Sequence, residues 1–207
     1  MWDRNDQNRS RPDFSRRDFL KGSAAAATAT AVATQGPEEA AAANLKTNVF
    51  AATATSVTLN VNGKNHTVKV EPRVTLLHVL RNTLNLTGCK EVDERSADGA
   101  DTVMIDGKAV LAGSRLAIEC EGKEIRTVES LRQGEKVDAV VAGFVKHDAM
   151  QCGFCTPGFV VATRVFLDHN PKASLGDIQK GLGGNICRCG TYQGITACAL
   201  EISTGGK

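Results

Sequence analysis

The chain has 207 residues, 42% hydrophobic and 23% charged, which supplies a core for one or two small domains and excludes a disordered protein. Its formal net charge is only +2, and residues 1–33 hold six Lys/Arg against four Asp/Glu, so the remainder is near balance and offers nucleic acid no basic face. Aromatic residues are only 4%, with one Trp and one Tyr, too few for a base-stacking platform, and seven cysteines are the main chemical resource.

In chain order, the first signal is "SRRDFLK" at 15–21, followed by "GSAAAATATAVA" at 22–33. That apolar run is too short and too weakly apolar to span a bilayer. It resembles a twin-arginine export signal over residues 1–33, with Ala31-Val32-Ala33 as a small-residue cleavage pattern after Ala33. A periplasmic location follows as an expectation. Unligated thiols can pair in that oxidising compartment unless they are buried or metal-bound. Residues 34–55 are rich in Ala, Thr and Asn and read as a flexible linker.

Residues 56–61 and 65–70, "SVTLNV" and "NHTVKV", alternate apolar and polar around Asn62-Gly63, the pattern of a hairpin with a left-handed turn. A helix is predicted over "TLLHVLRNTLN" at 75–85, with Thr75 as N-cap and Leu76, Leu77, Leu80 and Leu84 on one face. Short strands are expected at "TVMI", "KAVL", "RLAIEC" and "EIRTV", with a turn at Asp106-Gly107. A hairpin, a crossing helix and further strands predict a β-grasp, ferredoxin-like domain over 56–132. Helices are then predicted at 136–149, 158–169, 174–182 (Ser174 as N-cap) and 194–202, an all-helical four-helix domain over 135–201. The expected fold class is α+β, sheet first and helices second.

Four cysteines cluster in "QCGFCTPG" and "GNICRCGTY": Cys152, Cys155, Cys187 and Cys189. The first pair has C-x-x-C spacing at the start of a helix, where backbone amides stabilise thiolates. The second pair is one residue apart, so both sulfurs face one point only on non-helical backbone, which Gly183, Gly184 and Gly190 permit. Four such thiolates suit a 2Fe–2S cluster; a structural zinc site is the alternative, and two disulfides are a poorer fit. His66, His78, His147 and His169 are isolated and read as surface or boundary residues. Cys198 reads as a small buried hydrophobe. The pairing of Cys89 and Cys120 stays open, as a disulfide or as free thiols. The chain has no dinucleotide loop, phosphate loop or C-x-x-C-H haem site, so any FAD or haem belongs to partners.

The motifs "QCGFCTPG" and "GNICRC", with "LLHVLRN", "DTVMIDGKAV" and "IRTVESL", resemble the small iron–sulfur subunit of the xanthine dehydrogenase and aldehyde oxidoreductase family of molybdenum hydroxylases. The resemblance runs from Ser56 to Leu200. It implies one 2Fe–2S cluster on Cys152, Cys155, Cys187 and Cys189, with Gln151 and Cys189 nearest a molybdopterin held by a separate large subunit. It also implies an FAD subunit or cytochrome further on, and no substrate chemistry on this chain. One departure is "CRCGTY", where many relatives have Thr before Gly.

The resemblance further implies a second, plant-type cluster on C-x4-C-x2-C and a fourth cysteine. Here those positions fall on Asp93, Asp98, Asp101 and Gly113. Hard carboxylate oxygens and a glycine cannot replace soft thiolates, so this cluster is expected to be missing. The front loop is then expected to be a solvated acidic segment, mobile and self-repelling over 89–101, with Ca²⁺ on Asp93, Glu94, Asp98 and Asp101 as a lesser alternative. The expected function is a periplasmic electron-transfer subunit of a molybdenum oxidoreductase acting on an aldehyde or N-heterocycle. The alternatives are a structural docking subunit with an impaired relay, and a zinc-binding interaction module.

Overall fold

Alternation puts Val57, Leu59 and Val61 of β1 (Thr55–Val61) inside, and β2 (Lys64–Val70) adds Val68 and Val70 to the same core. The computed structural model describes residues 50–93 and 95–205. The expected signal and most of the expected linker lie outside these residues. Asn62 and Gly63 both adopt positive φ, 52° and 77°, giving the tight left-handed turn that their identities predict.

Thr75 caps the next element as expected, its Oγ1 accepting from the His78 N–H at 3.2 Å. The helix runs regularly only over α1 (Leu76–His78) and then widens into a π-type turn, Val79–Thr83, where Leu84 N–H reaches the Val79 carbonyl. Leu76, Leu77, Val79 and Leu80 pack onto the sheet, while Leu84 is only half buried. Strands β3 (Thr102–Ile105) and β4 (Lys108–Leu111) join through Asp106-Gly107, both at positive φ. With β5 (Glu124–Arg126) the sheet order is β2-β1-β5-β3-β4, and β1 and β5 are parallel.

One expected strand is absent from the sheet. "RLAIEC" carries a 3₁₀ turn, Ala117–Cys120, because Ala117, Ile118 and Cys120 all face the core. Three near-consecutive inward side chains suit a helical turn and not a strand, whose side chains alternate. "EIRTV" is also shorter than expected, with a second 3₁₀ turn at Val128–Leu131.

A short hairpin, β6 (Arg132–Gln133) and β7 (Lys136–Val137), leads into the helices. These are α2 (Ala139–Lys146), α3 (Thr156–His169), α4 (Leu175–Gly181) and α5 (Tyr192–Ser203). Asp138 caps α2, and Ser174 caps α4 with Asp177 answering it. Their shared core holds Phe144, Phe159, Ile178 and Ile195. Sheet and helices meet along β3, every residue of which is buried. Val103 and Ile105 face the α1 side while Met104 packs on Val161 and Val165 of α3. At the far end of α3, His169 Nε2 lies 2.9 Å from the Gly107 carbonyl oxygen.

Glu201 of α5 ties that helix to α2, receiving Lys146 Nζ at 2.6 Å and pairing with His147 Nε2 at 2.5 Å. The hydrogen bonds from Lys146 and then His147 hold the Glu201 carboxyl below its ordinary range. A carboxylate lowered in the folded state adds stability above its unfolded pKa and loses it as pH falls through the folded value. Thermal melts of Glu201→Gln should therefore fall below wild type at neutral pH. The two curves should converge as pH drops through the carboxylate range.

Candidate metal centre

The four clustered cysteines sit on two loops that both border helix α3 or α5. Gly153, at φ 79°, turns the first loop so that Cys152 and Cys155 precede α3, with Cys155 as its N-cap residue. Gly190, at φ 80°, ends the second loop before α5. In the second loop Cys187 is fixed from both sides. Its N–H lies 2.8 Å from the hydroxyl of Tyr192, and its sulfur is 3.2 Å from Thr191 Oγ1. The Tyr192 ring stands edge-on to Phe159 of α3, centroids 6.0 Å apart.

The four thiols influence one another across the loops: Cys152 with Cys189, Cys155 with Cys187, and, more weakly, Cys187 on Cys152 and Cys152 on Cys155. Burial, then the bond to Cys187, pushes the Cys155 thiol up to about 12. Burial also opposes ionisation of Cys187, but bonds from Thr191, Cys155 and the Cys189 N–H outweigh it and bring that thiol down to about 7. The Phe154 N–H lowers Cys152, with the Cys189 thiol assisting. For Cys189 the Cys152 N–H lowers the pKa, but donation to the Cys152 sulfur, burial and neighbouring charge leave it raised. Cys152 and Cys187 are thus lowered, while Cys155 and Cys189 are raised. Among the described residues no three His, Cys, Asp or Glu side chains converge tightly enough to hold a single metal ion. Four cysteine thiols on two facing loops are a donor type that iron–sulfur clusters use.

The other cysteines stand apart. Cys89, Cys120 and Cys198 are buried free thiols, so no Cys89–Cys120 disulfide is present. Burial raises all three, Cys198 to about 11. His78 meets Asn82, and His147 and His169 are engaged as described, away from the cysteine loops.

The aspartate loop, expected to be loose, is threaded with local hydrogen bonds, while the expected repulsion persists as Asp98 acting to raise the Asp101 carboxyl. Asp93 accepts from the Arg95 and Ala97 N–H groups at 2.7 and 3.3 Å, and Asp98 from Ala100 N–H at 2.7 Å. Asp101 is 2% exposed, and its Oδ2 accepts from Ser96 Oγ and Gly113 N–H, both at 2.6 Å. Its Oδ1 is buried without a partner, and desolvation raises its pKa. Ser96 fills the space at Gly113: a Cβ there would run into Ser96 Oγ and lie 3.1 Å from Asp101 Oδ2. Carboxylates committed to local N–H groups, with a hydroxyl in the fourth position's side-chain space, do not fit a plant-type cluster. A cation on Asp93, Asp98 and Asp101 is not supported, since the three do not converge. Glu94 lies outside the described residues.

Sequence reasoning did not single out Ser96, Asn185, Thr191 or Tyr192. Asn185 is 9% exposed in the structure, and a buried amide has to find its partners inside the protein. It donates to the Gly99 carbonyl at 2.8 Å and lies 3.2 Å from Thr102 Oγ1.

Comparison with known proteins adds the following. Residues 127–200 match the 2Fe-2S binding domain family, and residues 13–33 match the twin-arginine translocation pathway signal sequence. The chain is 36% identical over 207 residues to the aldehyde oxidoreductase iron-sulfur-binding subunit PaoA of Escherichia coli K12, covering 93% of this chain and 89% of that one. It is 40% identical over 145 residues to the nicotine 6-hydroxylase small subunit of Paenarthrobacter nicotinovorans, covering 70% and 87%. Among solved structures, a chain of quinoline 2-oxidoreductase from Pseudomonas putida 86 superposes with a TM-score of 0.70 at 36% identity, over 74% of this chain and 96% of that one.

The packing at Gly113 is directly testable. Gly113→Ala should cost about 1–3 kcal/mol in chemical denaturation, because the new methyl meets Ser96. In a Ser96→Gly background the same change should cost clearly less, a coupling read from a double-mutant cycle.

Proposed function

This chain belongs to the iron–sulfur subunits of the aldehyde oxidoreductase and xanthine dehydrogenase family, and we propose that it carries one 2Fe–2S cluster on Cys152, Cys155, Cys187 and Cys189 and none in its front half. When bound, such a cluster supplies one-electron transfer. The observation that carries the assignment is that all four cysteines lie within residues 127–200, which match the 2Fe-2S binding domain family, on the loops that precede α3 and α5.

The protein residues around the centre have separable tasks. Tyr192 and Thr191 orient Cys187, Gly153 and Gly190 let the loops turn inward, and Phe159 backs the site from α3. Cys152, Gln151, Phe154, Ile186 and Tyr192 are exposed, so one edge of the centre is open to a partner and carries apolar side chains for docking. The partner in this reading is a large molybdopterin-binding subunit, where an aldehyde or N-heterocycle is oxidised, with an FAD subunit or cytochrome as the onward acceptor. The two-domain division at 56–132 and 135–201 belongs to the same reading, as does a periplasmic destination after twin-arginine export. This chain is a non-catalytic subunit of the enzyme complex.

The aspartate loop favours a second reading alongside the first. With no thiolate at 93, 98, 101 or 113, onward transfer has a longer gap to cross, and the chain serves assembly better than conduction.

Iron and acid-labile sulfide analysis of the chain, isolated with its native content, should give about two of each per chain. Cys155→Ser should lower both sharply. Zinc without visible absorption would contradict the assignment, and about four irons would place a second cluster in the front half.

A further inference from the structure

The two cysteine loops share a contact that neither supplies. Helix α3 reaches the front half at Gly158, three residues after Cys155. A Cβ there would run into the Gly99 carbonyl oxygen and lie 3.0 Å from Ala100 Cα. The second cysteine loop reaches the same carbonyl from the other side, through Asn185 Nδ2 at 2.8 Å. The next residue, Ile186, donates its N–H to the Asp98 carbonyl at 2.8 Å, one residue before Cys187. Lys90 Nζ, on the same front segment, stands 6.0 Å from the ring centroid of Phe154, between Cys152 and Cys155. The backbone at 98–100 is therefore touched by the chain beside both cysteine pairs.

That backbone has to be held by something. The Gly99 carbonyl also accepts from Thr102 Oγ1 at 2.6 Å, and the Ala100 carbonyl from Lys90 N–H at 3.2 Å. The deepest anchor is Asp101, which joins the 93–101 segment to Ser96 and to Gly113. Its backbone carbonyl also takes the Cys89 thiol at 3.2 Å and the Ala112 N–H at 3.3 Å. A buried charged acceptor with two short bonds resists displacement far more than an exposed one.

From this geometry we infer that the aspartate loop is a metal-free positioning element for the cysteine centre: Asp101 fixes the backbone at Gly99, and Gly99 with Asp98 sets where Cys155 and Cys187 stand relative to each other. The inference rests on the cluster assignment above only for its spectroscopic test. The loop keeps a structural use although its own positions hold no thiolate. Asp101 and Asn185 are positioning residues. Both act through the backbone, and neither is bonded to the sulfurs of Cys152, Cys155, Cys187 or Cys189.

The test compares the full chain with Asp101→Ala, Asp101→Asn and Asn185→Ala. In Asp101→Asn the amide oxygen still accepts from Ser96 and Gly113. Two readouts are taken. The first is amide hydrogen exchange at Ile186 in the metal-free chain. Asp101→Ala and Asn185→Ala should lose protection there, and Asp101→Asn should keep most of it. The second is the reduced-state electron paramagnetic resonance spectrum of the iron-loaded chain, with its rate of iron loss to a chelator. Asp101→Ala should shift the g values and release iron about tenfold faster, the scale expected when an outer-shell partner of a metal site is removed. Asp101→Asn should restore the wild-type signal.

Unchanged Ile186 exchange in both alanine variants overturns the inference, even if their melting temperatures fall. Lost protection with unchanged g values and iron release also overturns it, because the loop would then be braced without bracing the centre. If the wild-type chain takes up no iron, the cluster assignment fails, and the exchange experiment alone decides for or against the loop as the positioner of the Cys187 segment.

Discussion

The structure depends on one junction: the carbonyl groups of Asp98 and Gly99 received between Gly158 on one side and Asn185-Ile186 on the other. Four sulfurs on two loops, separated by the whole of α3 and α4, converge only if those loops are held in register. The helical core of Phe144, Phe159, Ile178 and Ile195 brings them near. Hydrophobic packing is non-directional and sets spacing loosely. Hydrogen bonds to a fixed carbonyl are directional, and at this junction they add the finer constraint.

In a chain with cysteines at 93, 98, 101 and 113, iron–sulfur bonds would tie this front loop down. Here carboxylates occupy three of those positions and accept N–H and O–H groups instead. The replacement is chemically coherent, since a carboxylate and a cluster sulfur both draw backbone amides toward negative charge. It carries a cost at Asp101, whose Oδ1 is buried without a partner and whose ionised form desolvation disfavours. Hydrogen bonds hold this loop where its side chains offer no thiolate.

Much of this was legible beforehand, wherever a local rule acts alone. Asn62-Gly63 and Asp106-Gly107 specify left-handed turns by their own backbone preferences, and Ser174 and Thr75 cap helices as short hydroxyl residues do. The cysteine spacing pointed to the two loops that precede α3 and α5. Tertiary context decided the rest. "RLAIEC" has the composition of a strand, yet its inward residues close a 3₁₀ turn over the α1 core. The π-type turn at Val79–Thr83 is invisible to a pattern that assumes a regular helix. The acidic loop misled for a plainer reason. Like charges repel, but each of the three side chains also accepts from nearby N–H groups, and those bonds hold the segment although Asp98 still raises the Asp101 carboxyl. Asn185 and Ser96 matter through partners far away in the chain or through a space left by a glycine, and neither is written in local composition.

The central claim is that this chain offers one redox centre, built from sulfur in its helical half, while its front loop is satisfied without metal. Anaerobic reductive titration of the iron-loaded full chain, followed by electron paramagnetic resonance, tests it most directly. The account predicts uptake of about one electron per chain and a single spin-active species, as one 2Fe–2S cluster requires. Uptake of about two electrons with two distinct signals would contradict it, and so would a chain that accepts none.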